Sequence, residues 1–393
     1  MKHFILSDAG LHTQMLPLSY TRPVAEIRTG ILSNAERWKK LLSTEISYIT
    51  RDYLQEKYSC HVADINCVIN ASVIADKKLA TQVQSLNQGS LVKKGKTIAA
   101  VYKASDIVEN FSILPQPITE YDRDVHFAET PYHIFGLAGI ALNIDFDILI
   151  EGKASEALST TNTVIGKHPV FIEAGAKAEA SIFNTTNGPI YLGKNAEVME
   201  GCMIRGPFAL GDYSVLKMGS KIYGPTSIGP HSKVGGELNN VVILGLSNKA
   251  HDGFLGNSVI GEWCNLGADT NNSNLKNNYA EVKLWNYEKN RFVNTGLQFC
   301  GLIMGDHSKC GINTMFNTGT VVGVSANIFG DGFPRNFIPS FSWGGAAGFK
   351  TYQLDKALET VALVMNRRGF ELCDTDKKIL NTIFEISDVY RSY

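Results

Sequence analysis

The sequence lacks the features that mark several specialised classes of protein. Lys and Arg number 37 against 38 Asp and Glu, a formal net charge of -1 over 393 residues. This balance excludes the strong basic field of a general nucleic-acid or anionic-membrane binder. No run approaches the roughly 18 apolar residues of a membrane-spanning helix, and the apolar start of MKHFILSDAG breaks too early for a signal or transit peptide. We expect a cytoplasmic protein with no nucleic-acid partner and no membrane insertion.

Cysteine is present but lacks the spacing of a metal site or a disulfide framework. The count of seven is odd, and no two cysteines are separated by two residues. Reduced and mostly buried thiols are therefore expected. Hydrophobic residues make up 44% and charged residues 19% of the chain, a globular composition at a length that suits two or three domains.

A six-residue repeat occupies the middle of the chain. An aliphatic residue returns at each sixth position, namely Leu192, Val198, Ile204, Leu210, Leu216, Ile222, Ile228 and Val234. The spacing resumes at Ile260, Leu266, Met304, Cys310, Phe316, Val322 and Ile328. A period of six fits neither an α-helix nor a simple alternating strand, but it is typical of the hexapeptide repeats of a parallel β-helix. Residues 270–300 interrupt it, and the alternation of Val282, Leu284 and Phe292 across an Asn-rich turn predicts a projecting β-hairpin.

The two ends of the chain follow other patterns. Near the N-terminus, predicted strands at 4–6, 46–50 and 67–70 alternate with predicted helices at 31–42, 52–58 and 76–87, which indicates βαβ units and a parallel sheet. At the C-terminus, apolar periodicity predicts helices over 352–368 and from 374 to 389. We therefore expect an α/β domain over 1–140, a β-helix over 141–345 and a helical tail over 346–393.

The loop after the first strand resembles the opening of the sugar nucleotidyltransferases. Ala9 and Gly10 keep the family pattern, whereas His12 stands at its second glycine and Gln14 at its arginine. A glycine-rich loop between a strand and a helix binds phosphate through converging backbone N–H groups. The resemblance therefore implies that Ala9 and Gly10 bind the nucleotide, in a truncated Rossmann-like domain.

The segment LPLSYTRPVAEIRTGI, residues 16–31, resembles a shortened bacterial variant of the bifunctional enzymes that make UDP-N-acetylglucosamine for the cell envelope. Those enzymes join a nucleotidyltransferase half to a left-handed β-helix, and the likeness extends over essentially the whole chain. It implies Arg22 and Arg28 as substrate contacts, since a guanidinium binds phosphate in a bidentate manner. It also implies a homotrimer, because related acyltransferases join three prisms with the active site between neighbours.

The segments HDGFLG at 251–256 and IGEWCNLGA at 260–268 resemble the acetyltransferase centre of that family. The resemblance assigns His251 as general base, because an amine that attacks a thioester must lose a proton and imidazole accepts one near neutral pH. It assigns Asn265 and Asn274 to the substrate, with Phe254 in place of the usual tyrosine. Ala268 is assigned to acetyl-CoA.

Nucleotidyl transfer in this family also needs magnesium, which an aspartate normally holds after a central strand. Asn70 stands where that aspartate is expected, and Asp145 and Asp147 are possible substitutes. We expect acetyl-CoA as acyl donor, and magnesium if the nucleotidyltransferase half is active.

Three functions remain open from the sequence. The first is a two-step enzyme that acetylates glucosamine-1-phosphate with His251 as base and then transfers a uridylyl group from UTP. The second is a glucose-1-phosphate uridylyl- or thymidylyltransferase, using UTP or dTTP, whose β-helix serves only assembly. The third is a regulatory protein that binds a sugar nucleotide. The retained His251 motif favours the first, whereas His12 and Gln14 favour the third for the N-terminal half.

Overall fold

The computed structural model describes residues 2–107 and 111–393. The N-terminal part holds a six-stranded sheet, a two-stranded sheet and four α-helices. Its strands are β1 His3–Ser7, β2 Ile46–Ile49, β3 Ile65–Asn70, β4 Val73–Ile74, β5 Ser90–Lys93, β6 Lys96–Lys103, β7 Ile118–Glu120 and β8 His126–Phe127. Its helices are α1 Asn34–Leu42, α2 Lys77–Ser85, α3 Pro131–Gly136 and α4 Ala138–Ile150.

The order of the large sheet is β2-β1-β3-β6-β5-β7, and its strands do not all run the same way. β1 pairs with β2 and β3 in parallel, as expected for βαβ units, but β6 lies antiparallel to β3 and β5. β5 and β7 pair in parallel, and they run in the same direction as β3 because β6 is antiparallel to both β3 and β5. The expected parallel sheet is therefore interrupted by β6. Lys94 and Gly95, both with positive φ, join β5 to β6 in the two-residue connection of a β-hairpin.

Local signals set the helix boundaries. Ser33 caps α1 in a capping box with Glu36, and Asp76 caps α2 by accepting the N–H of Leu79. Both helices agree with the predicted ones to within three residues. The prediction of a helix over 52–58 is wrong, because the structure has a single 3-10 turn there, Asp52–Leu54.

The middle of the chain is a parallel β-helix, here called the solenoid. Its strands are β9 Thr163–Ile165, β10 Val170–Ile172, β11 Lys177–Ala178, β12 Ile182–Asn184, β13 Ile190–Leu192, β14 Glu197–Val198, β15 Met203–Arg205, β16 Phe208–Leu210, β17 Val215–Leu216, β18 Lys221–Tyr223, β19 Thr226–Ile228, β20 Lys233–Val234, β21 Glu237–Gly245, β22 Asn248–Lys249, β23 Phe254–Glu262, β24 Asn265–Leu266, β25 Asn271–Asn272, β26 Lys283–Asn286, β27 Arg291–Asn294, β28 Leu302–Met304, β29 Lys309–Cys310, β30 Met315–Phe316, β31 Thr320–Val322, β32 Asn327–Ile328, β33 Phe337–Ile338, β34 Ser342–Gly345 and β35 Gly348–Thr351.

The repeat explains the solenoid. Leu192 of β13 lies opposite Leu210 of β16, eighteen residues (210 − 192) or three hexads further along, so each coil has three short strands. Every residue of the predicted six-residue series is at most 5% exposed, because these side chains point inward and stack on their counterparts in the next coil. The predicted hairpin is also confirmed, since β26 and β27 pair antiparallel with Trp285 opposite Phe292.

The C-terminal tail forms α5 Leu354–Asn366 and α6 Asp374–Ile386. One hydrophobic core contains side chains from the N-terminal sheet, the outer surface of the solenoid and this tail, including Leu18, Val242, Val259, Ile303 and Ile383. The solenoid interior forms a second, separate core. The predicted fold class, an α/β part followed by a parallel β-helix and helices, is therefore confirmed.

Candidate functional site

The loop after β1 contains the predicted nucleotide contacts. Ala9 and Gly10 have φ of 51° and 83°, and a Cβ added to Gly10 would meet no heavy atom within 4 Å. Asp8 fixes this loop, because its carboxylate accepts the Val24 N–H at 2.8 Å and the Thr50 hydroxyl at 2.6 Å. Gly10 is thus an exposed point of a loop that is anchored from beneath.

The strand order predicts a ligand-binding crevice at the carboxyl ends of β1, β2 and β3, next to this loop. The chain leaves β1 for β2 on one side and returns to β3 on the other, and ligands bind at such switch points outside the carboxyl ends of parallel strands. His12, in the same loop, is buried, and burial lowers its pKa to about 4. It is therefore a neutral side chain within the loop, where the family pattern has glycine.

Arg51 is a candidate site residue that sequence reasoning missed. It lies two residues after β2, is exposed, and donates a 3.0 Å hydrogen bond to the hydroxyl of Thr13 in the β1 loop. A guanidinium therefore contacts this loop although Gln14 occupies the family's arginine position. The position of Arg51 after the second strand was the available signal, because the carboxyl ends of parallel strands meet at one edge.

Arg22 lies at the contact between the N-terminal part and the solenoid. It is buried, forms an ion pair with Glu262 at 3.0 Å and contacts Asp306, which also accepts the Thr21 hydroxyl at 2.7 Å. Burial opposes its charge, but the two carboxylates outweigh it and raise the pKa of Arg22 well above its usual value. Its guanidinium is thus engaged by the solenoid.

Arg28 is likewise engaged within the protein. Its Nε donates to the carbonyl oxygen of Leu244 in the solenoid at 3.1 Å, and its Nη1 forms an ion pair with Glu36 at 3.3 Å. It also contacts the carbonyl oxygen of Ile31. Both predicted arginine contacts therefore bind protein groups.

Magnesium, which the resemblance implies, finds no suitable ligand set at the predicted positions. The Asn70 amide oxygen accepts the N–H and the hydroxyl of Ser72 at 3.0 and 2.8 Å. Asp145 forms a fully buried ion pair with Arg37 at 2.7 Å, and Asp147 is exposed on α4. Within residues 2–107 and 111–393, no three His, Cys, Asp or Glu side chains are grouped so that they could hold a metal ion. These residues do not fit a shared magnesium site.

His251 lies in the solenoid corner between β22 and β23, and its side chain is exposed. The side chain of Lys249 points into the solenoid interior at 1% exposure, and its Nζ donates to the carbonyl oxygens of His251 and Asp252 at 2.5 and 2.9 Å. Burial lowers the pKa of Lys249 to about 8. Sequence reasoning missed this lysine because it breaks the aliphatic series where it stacks on Val234.

The next coil brings two further candidates to the same region. Asn248 lies opposite Asn265, and this register sets His251 opposite Ala268. The N–H of Asp269 donates to the carbonyl oxygen of Asp252 at 3.1 Å, which holds the two corners together. Asn265 is exposed on β24, which leads into the corner.

Phe254 and Asn274 form a second group. A Cβ added to Gly256 would lie 2.5 Å from the Phe254 ring and 2.6 Å from the Asn274 amide nitrogen, so both side chains cover this glycine. Asn274 also donates to the side chain of Asn257 at 2.7 Å. The predicted acetyltransferase residues thus form two groups. His251, Ala268 and Asn265 lie at or next to one corner of the solenoid, and Phe254 and Asn274 lie over Gly256.

Comparison with known proteins bears on the N-terminal part. Residues 4–154 match the family model described as sugar nucleotidyl transferase. This match confirms the prediction that the chain carries a transferase domain, and the solenoid follows that domain.

Two similar curated proteins are each named as bifunctional. The chain is 34% identical over 144 residues to a bifunctional sugar-1-phosphate nucleotidylyltransferase/acetyltransferase of Sulfurisphaera tokodaii, which covers 36% of this chain and 35% of that protein. It is 34% identical over 87 residues to the bifunctional protein GlmU of Methanocaldococcus jannaschii, and this alignment covers 22% of this chain and 21% of that protein. The chain thus spans about a third or less of the length of these relatives.

Among solved structures, Arabidopsis UDP-N-acetylglucosamine acyltransferase aligns over 60% of this chain and 82% of its own, with 14% identity and a TM-score of 0.27. Across the part of the chain that the structure describes, the helices are all too short or too polar to cross a bilayer.

Replacing Arg22 with Met should destabilise the protein by about 3–5 kcal/mol, because it leaves the carboxylates of Glu262 and Asp306 without their cation. Thermal melting measures this, with Arg123→Met, an exposed arginine, as the control. Adding Glu262→Gln and Asp306→Asn should recover most of the loss. An unchanged melting temperature together with lost nucleotide binding would instead support the phosphate role.

Replacing Lys249 with Met should change how stability depends on pH. The folded pKa of Lys249 is about 8 against 10.5, so between these values the unfolded chain binds more protons and stability rises with pH. From pH 7.5 to 10, wild type should gain about 1–3 kcal/mol relative to Lys249→Met. Chemical unfolding at both pH values measures this, with the exposed Lys233→Met as control. Parallel pH profiles for wild type and Lys249→Met would be inconsistent with a buried, titrating amine.

Proposed function

We propose that this protein is an enzyme of sugar-nucleotide biosynthesis that transfers acetyl from acetyl-CoA to the amino group of glucosamine-1-phosphate. The observation that carries the proposal is the His251 corner. The imidazole is exposed to solvent while the backbone around it is fixed from the solenoid interior by Lys249. A base on a fixed backbone that an incoming substrate can reach suits general-base catalysis.

In this proposal, the amino nitrogen of the sugar attacks the thioester carbon of acetyl-CoA. A C–N bond forms and the C–S bond breaks. His251 takes the proton that the nitrogen loses and returns it to the departing sulfur, so the products are the N-acetyl sugar phosphate and the free thiol of coenzyme A. Asn265, Asn274 and Phe254 orient the sugar phosphate in this scheme, and Ala268 contacts the coenzyme.

The relative from Sulfurisphaera tokodaii supports the pairing of activities, since its name joins sugar-1-phosphate nucleotidylyl transfer to acetyl transfer. Exposed apolar side chains on outer strands of the solenoid, Ile182, Met203 and Tyr223, support a homotrimer as part of the proposal. Such a surface suits contact with another copy of the chain.

Replacing His251 with Ala should lower the rate of acetyl transfer by a factor of about 100 to 10,000, the usual effect of losing a general base. The side chain is exposed, so the melting temperature should change by the equivalent of no more than about 0.5 kcal/mol. Release of the coenzyme A thiol with glucosamine-1-phosphate measures the rate.

The matched control for this test is His168→Ala, which removes another exposed histidine near the start of the solenoid. It should keep the wild-type rate. Equal rates for His251→Ala and wild type would remove His251 from the mechanism. No thiol release by wild type with any amino-sugar phosphate would favour the nucleotidyltransferase or regulatory alternative.

The second candidate activity belongs to the N-terminal half, which we propose binds UTP or dTTP and a sugar-1-phosphate and transfers the nucleotidyl group more slowly than ordinary family members. The loop of Ala9 and Gly10, with Arg51 beside it, favours nucleotide binding. The poor fit of Asn70, Asp145 and Asp147 to magnesium favours slow turnover.

Replacing Arg51 with Gln should weaken binding of UTP by about tenfold, because one charge-assisted contact to phosphate is lost. Titration calorimetry with wild type and variant measures the change. The exposed Arg123→Gln in the same half should bind UTP as wild type does. Equal affinities for Arg51→Gln and wild type would show that the guanidinium lies outside the phosphate site.

A further inference from the structure

A cavity of about 590 Å³ lies between the hairpin β26–β27 and the last coils of the solenoid. We call it the hairpin pocket, and its lining includes Lys276, Lys283, Arg335, Trp285, Phe292 and Phe337. Its volume is within the range of about 300–1,000 Å³ that holds small ligands. None of the residues assigned above to acetyl or nucleotidyl transfer lines it.

The alternation of a β-strand builds this pocket. Val282 and Leu284 are buried at 0 and 4% exposure, which anchors the hairpin in the shared core. Lys283 and Trp285 therefore project from its other face, where Phe292 lies directly opposite Trp285. One face of the hairpin thus fixes the backbone, and the other presents a cation and two aromatic rings.

The aromatic rings form a supported platform. Trp285 stacks on Phe337 with 4.2 Å between ring centroids and an interplanar angle of 10°. Phe292 meets Trp285 edge to face at 5.4 Å and remains 40% exposed. A platform fixed from behind and open at its front suits a flat ring, because each nucleobase offers a stackable face.

The charge of the pocket has a single sign. Its lining includes three cationic side chains and no carboxylate. Among residues 2–107 and 111–393, the salt bridges include none of these three side chains, and the Nζ of Lys276 donates to the backbone carbonyl oxygen of Glu281 at 2.8 Å. Arg335 lies instead over the rings of Phe349 and Tyr393, at 5.6 and 5.9 Å. Uncompensated positive charge at a concave site attracts anions.

We propose that the hairpin pocket binds a nucleotide, with its phosphates on Lys276, Lys283 and Arg335 and its base against Phe292. The volume suits one nucleotide, and the net charge of -1 argues against extended nucleic acid. Two sources share this chemistry, a uridine nucleotide and the adenine nucleotide portion of coenzyme A. The inference does not depend on catalysis by His251.

The test uses the full chain carrying Arg51→Gln, which weakens the site proposed in the N-terminal half. UDP, 3′-phosphoadenosine 5′-diphosphate and inorganic pyrophosphate are titrated separately by calorimetry. We expect one nucleotide to bind more tightly than pyrophosphate, and which nucleotide does so identifies the source. In this background, Phe292→Ala should weaken nucleotide binding about tenfold and leave pyrophosphate binding unchanged.

Three further variants distinguish an effect of charge from an effect on folding. Lys283→Gln with Arg335→Gln should weaken both nucleotide and pyrophosphate at least tenfold, whereas Lys289→Gln in the turn of the same hairpin should weaken neither. Phe292→Tyr keeps a ring and should bind as the parent does. Equal nucleotide affinity in the parent, Phe292→Ala and the double variant would overturn the proposal, as would pyrophosphate binding at least as tightly as both nucleotides. Thiol release by wild-type protein, measured separately, reports on the proposed acetyl transfer alone.

Discussion

The ion cluster of Arg22 with Glu262 and Asp306 is the contact on which the arrangement of the whole chain depends. It joins residues separated by 240 and 284 positions in the sequence, and it lies where the N-terminal part, the solenoid and the tail meet. A buried charge is tolerated only when it is paired. The need to keep these charges paired therefore restricts how the N-terminal part can be placed on the solenoid.

Hydrophobic packing extends this contact over a wide area. Val242, Val259 and Ile303 are outward-facing residues of successive solenoid coils, yet all three are buried against the N-terminal part. Arg28 and Ser227 add hydrogen bonds across the same boundary, to Leu244 and Gly30. The two parts thus share one core, and the position of the β1 loop relative to the solenoid is fixed by packing.

The sequence predicted what depends on local periodicity and missed what depends on distant partners. Inward residues such as Leu210 recur at a fixed spacing, so the solenoid and its hairpin could be recognised without knowing any contact. Arg22 resembled a phosphate contact because its carboxylates lie more than 200 residues away. Lys249 was missed because a buried lysine contradicts the expectation of an apolar interior. Its ammonium group is stabilised there by hydrogen bonds to backbone carbonyl oxygens, which the sequence pattern does not show. For the candidate site, the resemblance predicted His251 from local sequence alone, whereas Arg51 became a candidate only when β2 was placed beside β1.

The Arg22 cluster also spans two neighbouring coils, since Ile260 pairs with Met304 and this register sets Glu262 beside Asp306. Stacked coils repeat at roughly 4.8 Å, so a docked domain displaced by one coil would set Arg22 against one of these two carboxylates and leave the other without its cation. The paired carboxylates distinguish one coil step from the others.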